Sequence, residues 1–219
     1  MSKPGETPDV GPTTHVVRPG DHLARVAAFH QRRTFAPLWN APENAALRRA
    51  RPNPNILAAG DPVHVPARIQ REVDRGTEHR HRFVAELRPL TVTLVRQRLD
   101  GTPPPDAPKE VLVEGKPVKF SSPKAGSTEF PVGPLDDRCT VRAGSDDIIL
   151  RVGFLEPVVT VAGQRERLNN LGYDAGEKND PESLQFRSAV EEFQCDHGMK
   201  VDGHCGTQSQ AKLASIHGC

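Results

Sequence analysis

Arg167-Leu-Asn-Asn-Leu-Gly-Tyr173, Ala189-Val-Glu-Glu-Phe-Gln194 and His197-Gly-Met-Lys-Val-Asp-Gly203 are the stretches whose reading decides the fold of this 219-residue chain. Val161, Arg165, Leu168 and Leu171 recur at helical spacing and stop at Gly172, a residue suited to the position after a helix. Asp180-Pro181 reads as N-cap and first helical residue of a second helix. Phe186, Ala189, Val190 and Phe193 form its apolar face, and Gly198 ends it. Residues Thr207 to Ile216 predict a third helix with Leu213 and Ile216 turned inward. Three short helices sharing one narrow seam bury little area, so the two phenylalanines should dominate the core.

These motifs, covering 158–219, resemble the three-helix peptidoglycan-binding domain often appended to wall hydrolases. The resemblance implies a wall-polymer site at Asp202, Gly203, Gly206 and Ser209, with Tyr173 as a stacking surface. An Asp-Gly turn ahead of the second helix is missing, and Gly176-Glu-Lys-Asn stands there instead.

At the other end, His15-Val-Val-Arg-Pro-Gly-Asp-His-Leu-Ala-Arg-Val-Ala27 begins as a β-branched run and reaches a Pro-Gly turn. Asp21 is placed to cap a helix in which Leu23, Val26, Ala27 and His30 share a face. Val63-His-Val65 reads as a closing strand. With Trp39-Asn40 and Asn55-Ile-Leu-Ala-Ala-Gly-Asp-Pro62, residues 13–67 resemble a LysM domain, a small βααβ module that binds N-acetylglucosamine-containing glycans. That resemblance implies a groove between Gly20, Asp21, His22 and Leu23 on one side and Ile56, Leu57, Ala58 and Ala59 on the other. The chain departs from the pattern at His22, where threonine is usual, and at the inserted stretch 41–52 beside the groove.

Between the two ends, 68–82 reads as a charged linker and 83–157 as an all-β domain. Leu90, Val92 and Leu94 alternate with polar residues, followed by Val111–Val113, Val118–Phe120, Cys139–Val141 and Ile148–Leu150. Asp100-Gly101 and Glu114-Gly115 supply turn chemistry, so a small sandwich-like domain is expected. Ending in Leu150-Arg-Val-Gly-Phe-Leu-Glu-Pro157, this segment resembles the β-domain of proteins encoded near type VI secretion spike genes. The fold class expected is therefore α+β multidomain, with residues 1–12 a disordered tail.

Composition narrows the function. There are 29 basic and 28 acidic residues, a net charge of +1, which argues against nucleic acid as a partner. No stretch approaches the roughly 18 apolar residues of a membrane span, and the first ten residues lack the apolar core of a signal peptide. The expectation is a protein cytoplasmic as synthesised and exported by a type VI-like apparatus to the wall. Cys195, Cys205 and Cys219 fall in the helical region, and a Cys205–Cys219 or Cys195–Cys205 disulfide would staple it by roughly 2–4 kcal/mol. Sequence leaves the pairing open, and in a reducing compartment the thiols stay free. The cysteine and histidine spacings match no familiar zinc module, so no metal and no cofactor is expected. Ser215-Ile-His-Gly-Cys219 echoes an L,D-transpeptidase motif but has no catalytic β-domain around it. The expected function is non-catalytic peptidoglycan binding through two modules, and the alternative is a structural adaptor binding secretion-spike or effector proteins.

Overall fold

A computed structural model describes residues 11–68, 76–80, 82, 90–98 and 100–219. Most of the expected tail, much of the charged linker and the opening of the β-region (83–89) therefore lie outside the described residues. The fold is α+β, with several antiparallel sheets and a helical C-terminal region. It divides into two compact units. One takes the chain up to His15, Leu23–Ala45 and Pro62–Val152; the other takes Val16–His22, Ala46–Asp61 and Gly153–Cys219. The stretch 13–67 thus contributes segments to each.

In the first unit, β1 (Thr13–Val16) and β2 (Pro62–Val65) make a two-stranded sheet. Helix α1 (Leu23–Phe29) buries Leu23, Ala24, Val26 and Ala27, the spacing anticipated from sequence. The helix begins at Leu23, and just ahead of it the Asp21 carboxylate accepts from the Arg18 N–H at 2.9 Å. Helix α2 (Ala36–Asn40), with Pro37 in its first turn, is followed by a 3-10 turn at Pro42–Asn44. Asn44 is buried, donating to Leu38 O and His64 O and accepting from the His64 N–H, all at 2.8 Å. The side chain thereby completes both backbone groups of one residue of β2, which an apolar residue there would leave unpaired. Helix α3 (Ala45–Ala50), which from Ala46 on belongs to the second unit, continues from that turn, so the inserted stretch 41–52 is largely helical.

The remainder of this unit is sheet. Strand β3 (Leu90–Val95) pairs antiparallel with β6 (Ser127–Val132), from Leu90 opposite Val132 to Val95 opposite Ser127. A second sheet has the order β5 (Lys116–Pro117), β4 (Pro108–Val113), β7 (Arg138–Ala143), β8 (Asp146–Arg151). Val111, Val113, Phe130, Val132, Cys139 and Val141 form one buried cluster drawn from both sheets, with Leu90, Val92 and Leu94 packed against it. Alternation does this: with a period of two, every second residue of each strand faces the cluster. The Glu114-Gly115 hairpin has positive φ at both positions (48° and 74°), the geometry that suits the twist of the flanking strands. Glu114 stabilises it further by accepting from the Asp137 and Arg138 N–H groups, which hold its carboxyl below the usual range. Arg25 of α1 donates to Asp136 O at 3.2 Å and pairs with the Asp137 carboxylate.

Two sequence expectations change here. Strand β6 was not anticipated, because Pro131 interrupts its apolar run. A proline cannot donate to a ladder, yet opposite Thr91 in a two-stranded sheet it is accommodated where no donor is needed. Val118 and Phe120 pack on the cluster beyond the end of β5, where the Val118 N–H still donates to Val111 O at 2.9 Å, and an isolated bridge joins Ser121 to Glu129.

In the second unit, α4 (Val161–Asn170), α5 (Leu184–Asp196) and α6 (Thr207–His217) enclose Leu168, Ala175, Phe186, Ala189, Val190, Phe193 and Leu213. Their lengths, 10, 13 and 11 residues, sit at or below the ~12–15 at which an isolated helix persists, so packing holds them. Helix α5 begins later than expected. Asp180 accepts from the Glu182 N–H and closes its own turn, and the Ser183 hydroxyl caps Phe186 N. In α4 it is Arg167, not Arg165, that is buried, at 1% exposure. Its Nη1 donates to Glu156 O (2.7 Å) and Gly163 O (2.8 Å), its Nε to Cys219 O (3.0 Å). A Cβ at Gly163 would lie 2.1 Å from Pro157 O, so only glycine lets that helix start so close to the preceding backbone. Ile216, expected inside, is 43% exposed, and Leu213 alone carries the inward face of α6 among its apolar residues.

Candidate functional site

The residues implied by the helical region converge on the last turn of α5. Gln194, 2% exposed, is the hub. Its Nε2 donates to Asp202 Oδ1 (3.0 Å), His204 O (3.0 Å) and Ser209 Oγ (3.1 Å). Its Oε1 accepts from the N–H groups of Asp202 (2.9 Å) and Gly203 (3.1 Å). One buried carboxamide thus satisfies the whole turn from Asp202 to His204 and ties it to α6. Gly203 is buried at φ 69°, and a Cβ there would meet Glu191 Oε1 at 2.8 Å. Ser209 is buried as well. These two residues shape the loop from within, and what the loop presents outward is Lys200, Val201, Asp202 and His204, all exposed.

Asp202 is the charged member of that surface. Its carboxyl lies below the usual range because Gln194 donates to it, with help from the His204 N–H and from Lys200, whose Nζ is 3.9 Å away. Gly206 stands exposed at the start of α6, its N–H bonded to His204 O at 2.8 Å. Tyr173 reaches the same turn of α5 by other residues. Its ring packs edge-on to Phe193 with centroids 5.6 Å apart, and its hydroxyl donates to Asp196 Oδ2 at 3.0 Å. Burial first, then that carboxylate, push the phenol up to about 12. The ring is half-buried against the core and leaves only part of itself for a ligand.

The N-terminal set is mostly interior. Gly20, His22 and Leu23 are buried, as are Ile56 and Leu57; Asp21 and Ala58 are half-exposed and Ala59 is exposed. Gly20 has φ 90°, and the Phe154 ring covers it so closely that a Cβ would lie 2.8 Å from Cζ. Gly153 is held as tightly: its Cβ would be 2.5 Å from Gly20 O and 2.9 Å from His22 Cδ2. The other turn closes on itself, with Asp61 accepting from the Ala58 N–H at 2.8 Å and pairing with Arg51 at 2.9 Å. Neither Gln194 nor Phe154 was singled out from sequence. A glutamine beside a phenylalanine in a helix reads as surface, and only the loop folded over it makes it a hub.

All four cysteines carry free thiols, so neither candidate bridge is formed in this structure. Cys195 and Cys219 are exposed, while burial pushes the Cys139 and Cys205 thiols up to about 11. The His217 Nε2 lies 3.0 Å from Asn170 Nδ2, and burial lowers the imidazole's pKa. Among the described residues no group of three or more His, Cys, Asp or Glu side chains is placed to hold a metal ion, and no helix is long and apolar enough to cross a membrane. No curated protein and no solved structure matches the chain. A family model does: residues 162–213, spanning α4 to α6 and the Gln194-centred loop, match the one described as "Putative peptidoglycan binding domain".

Proposed function

We propose that this chain is a non-catalytic peptidoglycan-binding protein whose primary contact is the surface formed by the 199–206 loop and the neighbouring Tyr173. The observation that carries the reading is the coincidence of the 162–213 family match with the loop gripped by Gln194. A loop held rigid before binding loses little conformational freedom on meeting a polymer, which favours affinity from a small surface. Asp202, His204 and the exposed backbone around Val201 offer polar groups for amide and hydroxyl partners, with Tyr173 as an apolar edge. The LysM-like stretch is a second wall-facing module in this reading. Two weak sites tethered on one polymer gain avidity without any new contact.

A second reading is favoured by the Phe154 ring over Gly20. With that turn covered by the chain itself, the N-terminal stretch serves as a structural element, and the protein is an adaptor of a type VI-like secretion complex with protein partners. Retention on insoluble peptidoglycan separates the two. Wall binding predicts that the full chain sediments with peptidoglycan and that Asp202→Lys with Val201→Asp releases it. A full chain that stays in the supernatant would sink the wall-binding reading and leave the adaptor.

A further inference from the structure

The β-sheet unit holds a pocket of about 230 Å3 lined by Arg96, Lys124, Ser122, Pro104, Pro105 and Pro108, together with small neighbours. We propose that it takes the carboxylate end of a short peptide, specifically the D-alanine-terminated stem peptide of peptidoglycan, an assignment that rests on the wall-binding reading above.

The charges point to an anion. Two cations line the pocket against a single acid, Asp106. The Asp106 backbone carbonyl accepts from Arg96 Nη2 at 2.5 Å, which fixes the guanidinium at the pocket, and the lining keeps one positive charge in excess. Lys124 makes no ion pair and Ser122 no hydrogen bond among the described residues, leaving an ammonium and a hydroxyl for a ligand. Lys124 is also well placed by its backbone. Ser127 N donates to Lys124 O at 3.0 Å, and Lys124 N donates to Ser127 Oγ at 3.1 Å. Gly126 lies in the same turn at φ 78°, where a Cβ would be 2.6 Å from Arg96 O. The tight turn thus brings the lysine and the arginine strand together.

The walls select the rest of the ligand. Three prolines with Ala107 and Ala125 make an apolar surface that suits methyl groups better than a hydroxylated sugar ring. A few polar groups set in an apolar concavity are what orient a small ligand. A neutral glycan has no charge for Lys124 and Arg96 to meet, whereas a peptide carboxylate takes charge-assisted hydrogen bonds from both.

The test is an amide NMR titration of the full chain with N-acetyl-D-alanyl-D-alanine, its carboxamide, its L,L isomer and inorganic phosphate. The expected result is movement of the Ala125 and Gly126 amides with the D,D carboxylate only. Lys124→Ala and Lys124→Glu should weaken it at least about tenfold, the loss of one charged hydrogen bond, without disturbing other amides. No movement at Ala125 and Gly126, or an equal response to the carboxamide, the L,L isomer or phosphate, would overturn the assignment. Sedimentation with peptidoglycan is read separately: a chain that binds the dipeptide yet fails to sediment keeps the pocket and loses the wall-binding reading.

Discussion

Gln194 grips Asp202 at two points, accepting from its N–H at 2.9 Å and donating to its carboxylate at 3.0 Å. The same carboxamide holds Gly203, His204 and Ser209, so one buried side chain decides whether the 199–206 loop has a single shape. Gln194→Ala leaves those backbone groups unmet and is expected to cost about 2–4 kcal/mol, several hydrogen bonds at roughly 1 kcal/mol each. Chemical denaturation measures that loss, and retention on peptidoglycan should fall with it. Ser209→Ala, which removes one acceptor, should cost about 1 kcal/mol.

The contact of Phe154 with Gly20 gives a double-mutant test. Gly20→Ala combines a φ of 90° with a Cβ 2.8 Å from the ring, and about 2 kcal/mol of destabilisation is expected. Adding Phe154→Ala removes the collision and keeps the backbone strain, so the pair should be less than additive. Strict additivity in urea melts would mean that the ring does not sit on the glycine.

Asn44→Ala strips both backbone partners from His64. A loss of about 2–3 kcal/mol is expected, accompanied by faster amide exchange at His64 in β2.

Thiol labelling at pH 8 should sort the cysteines. Cys195 and Cys219 are exposed and should react first. Cys139, buried in the sheet cluster, and Cys205 have thiols raised to about 11, so little thiolate forms and both should lag until the chain unfolds. Early modification of Cys139 would contradict its burial.

His217 sets a pH dependence. Burial, with the Arg167 charge second, lowers its pKa from 6.5, so the folded state opposes protonation while the unfolded chain accepts it. The stability it contributes is complete above 6.5 and is lost as pH falls through the lowered value. The helical region should therefore become easier to unfold between pH 7.5 and 5, followed at the Tyr173 ring by NMR. His217→Gln, which keeps a polar group beside Asn170, should flatten that slope.

Parts of this architecture were legible because their cause is local. Phe186, Ala189, Val190 and Phe193 repeat at helical spacing, and the buried face of α5 follows directly. Leu90, Val92 and Leu94 alternate, and β3 follows in the same way. Other features have remote causes. Two arginines two positions apart in α4 look alike in the chain, and Arg167 is the one buried because the carbonyls of Glu156 and Cys219 meet it there. Strand β6 hides behind Pro131, which a two-stranded sheet tolerates and a central strand would not.

By itself the sequence determined the α+β class, the apolar faces of the helices and most strands, the Glu114-Gly115 hairpin and the residues that belong to the peptidoglycan-binding match. Those follow from periodicity and turn chemistry, which act over a few residues. Only the tertiary structure decided that Gln194 is the centre of the candidate loop, that Gly203 and Ser209 shape it from inside, and that Phe154 covers Gly20. Each of those depends on residues distant in the chain meeting one polar or strained group, and periodicity carries no record of such meetings.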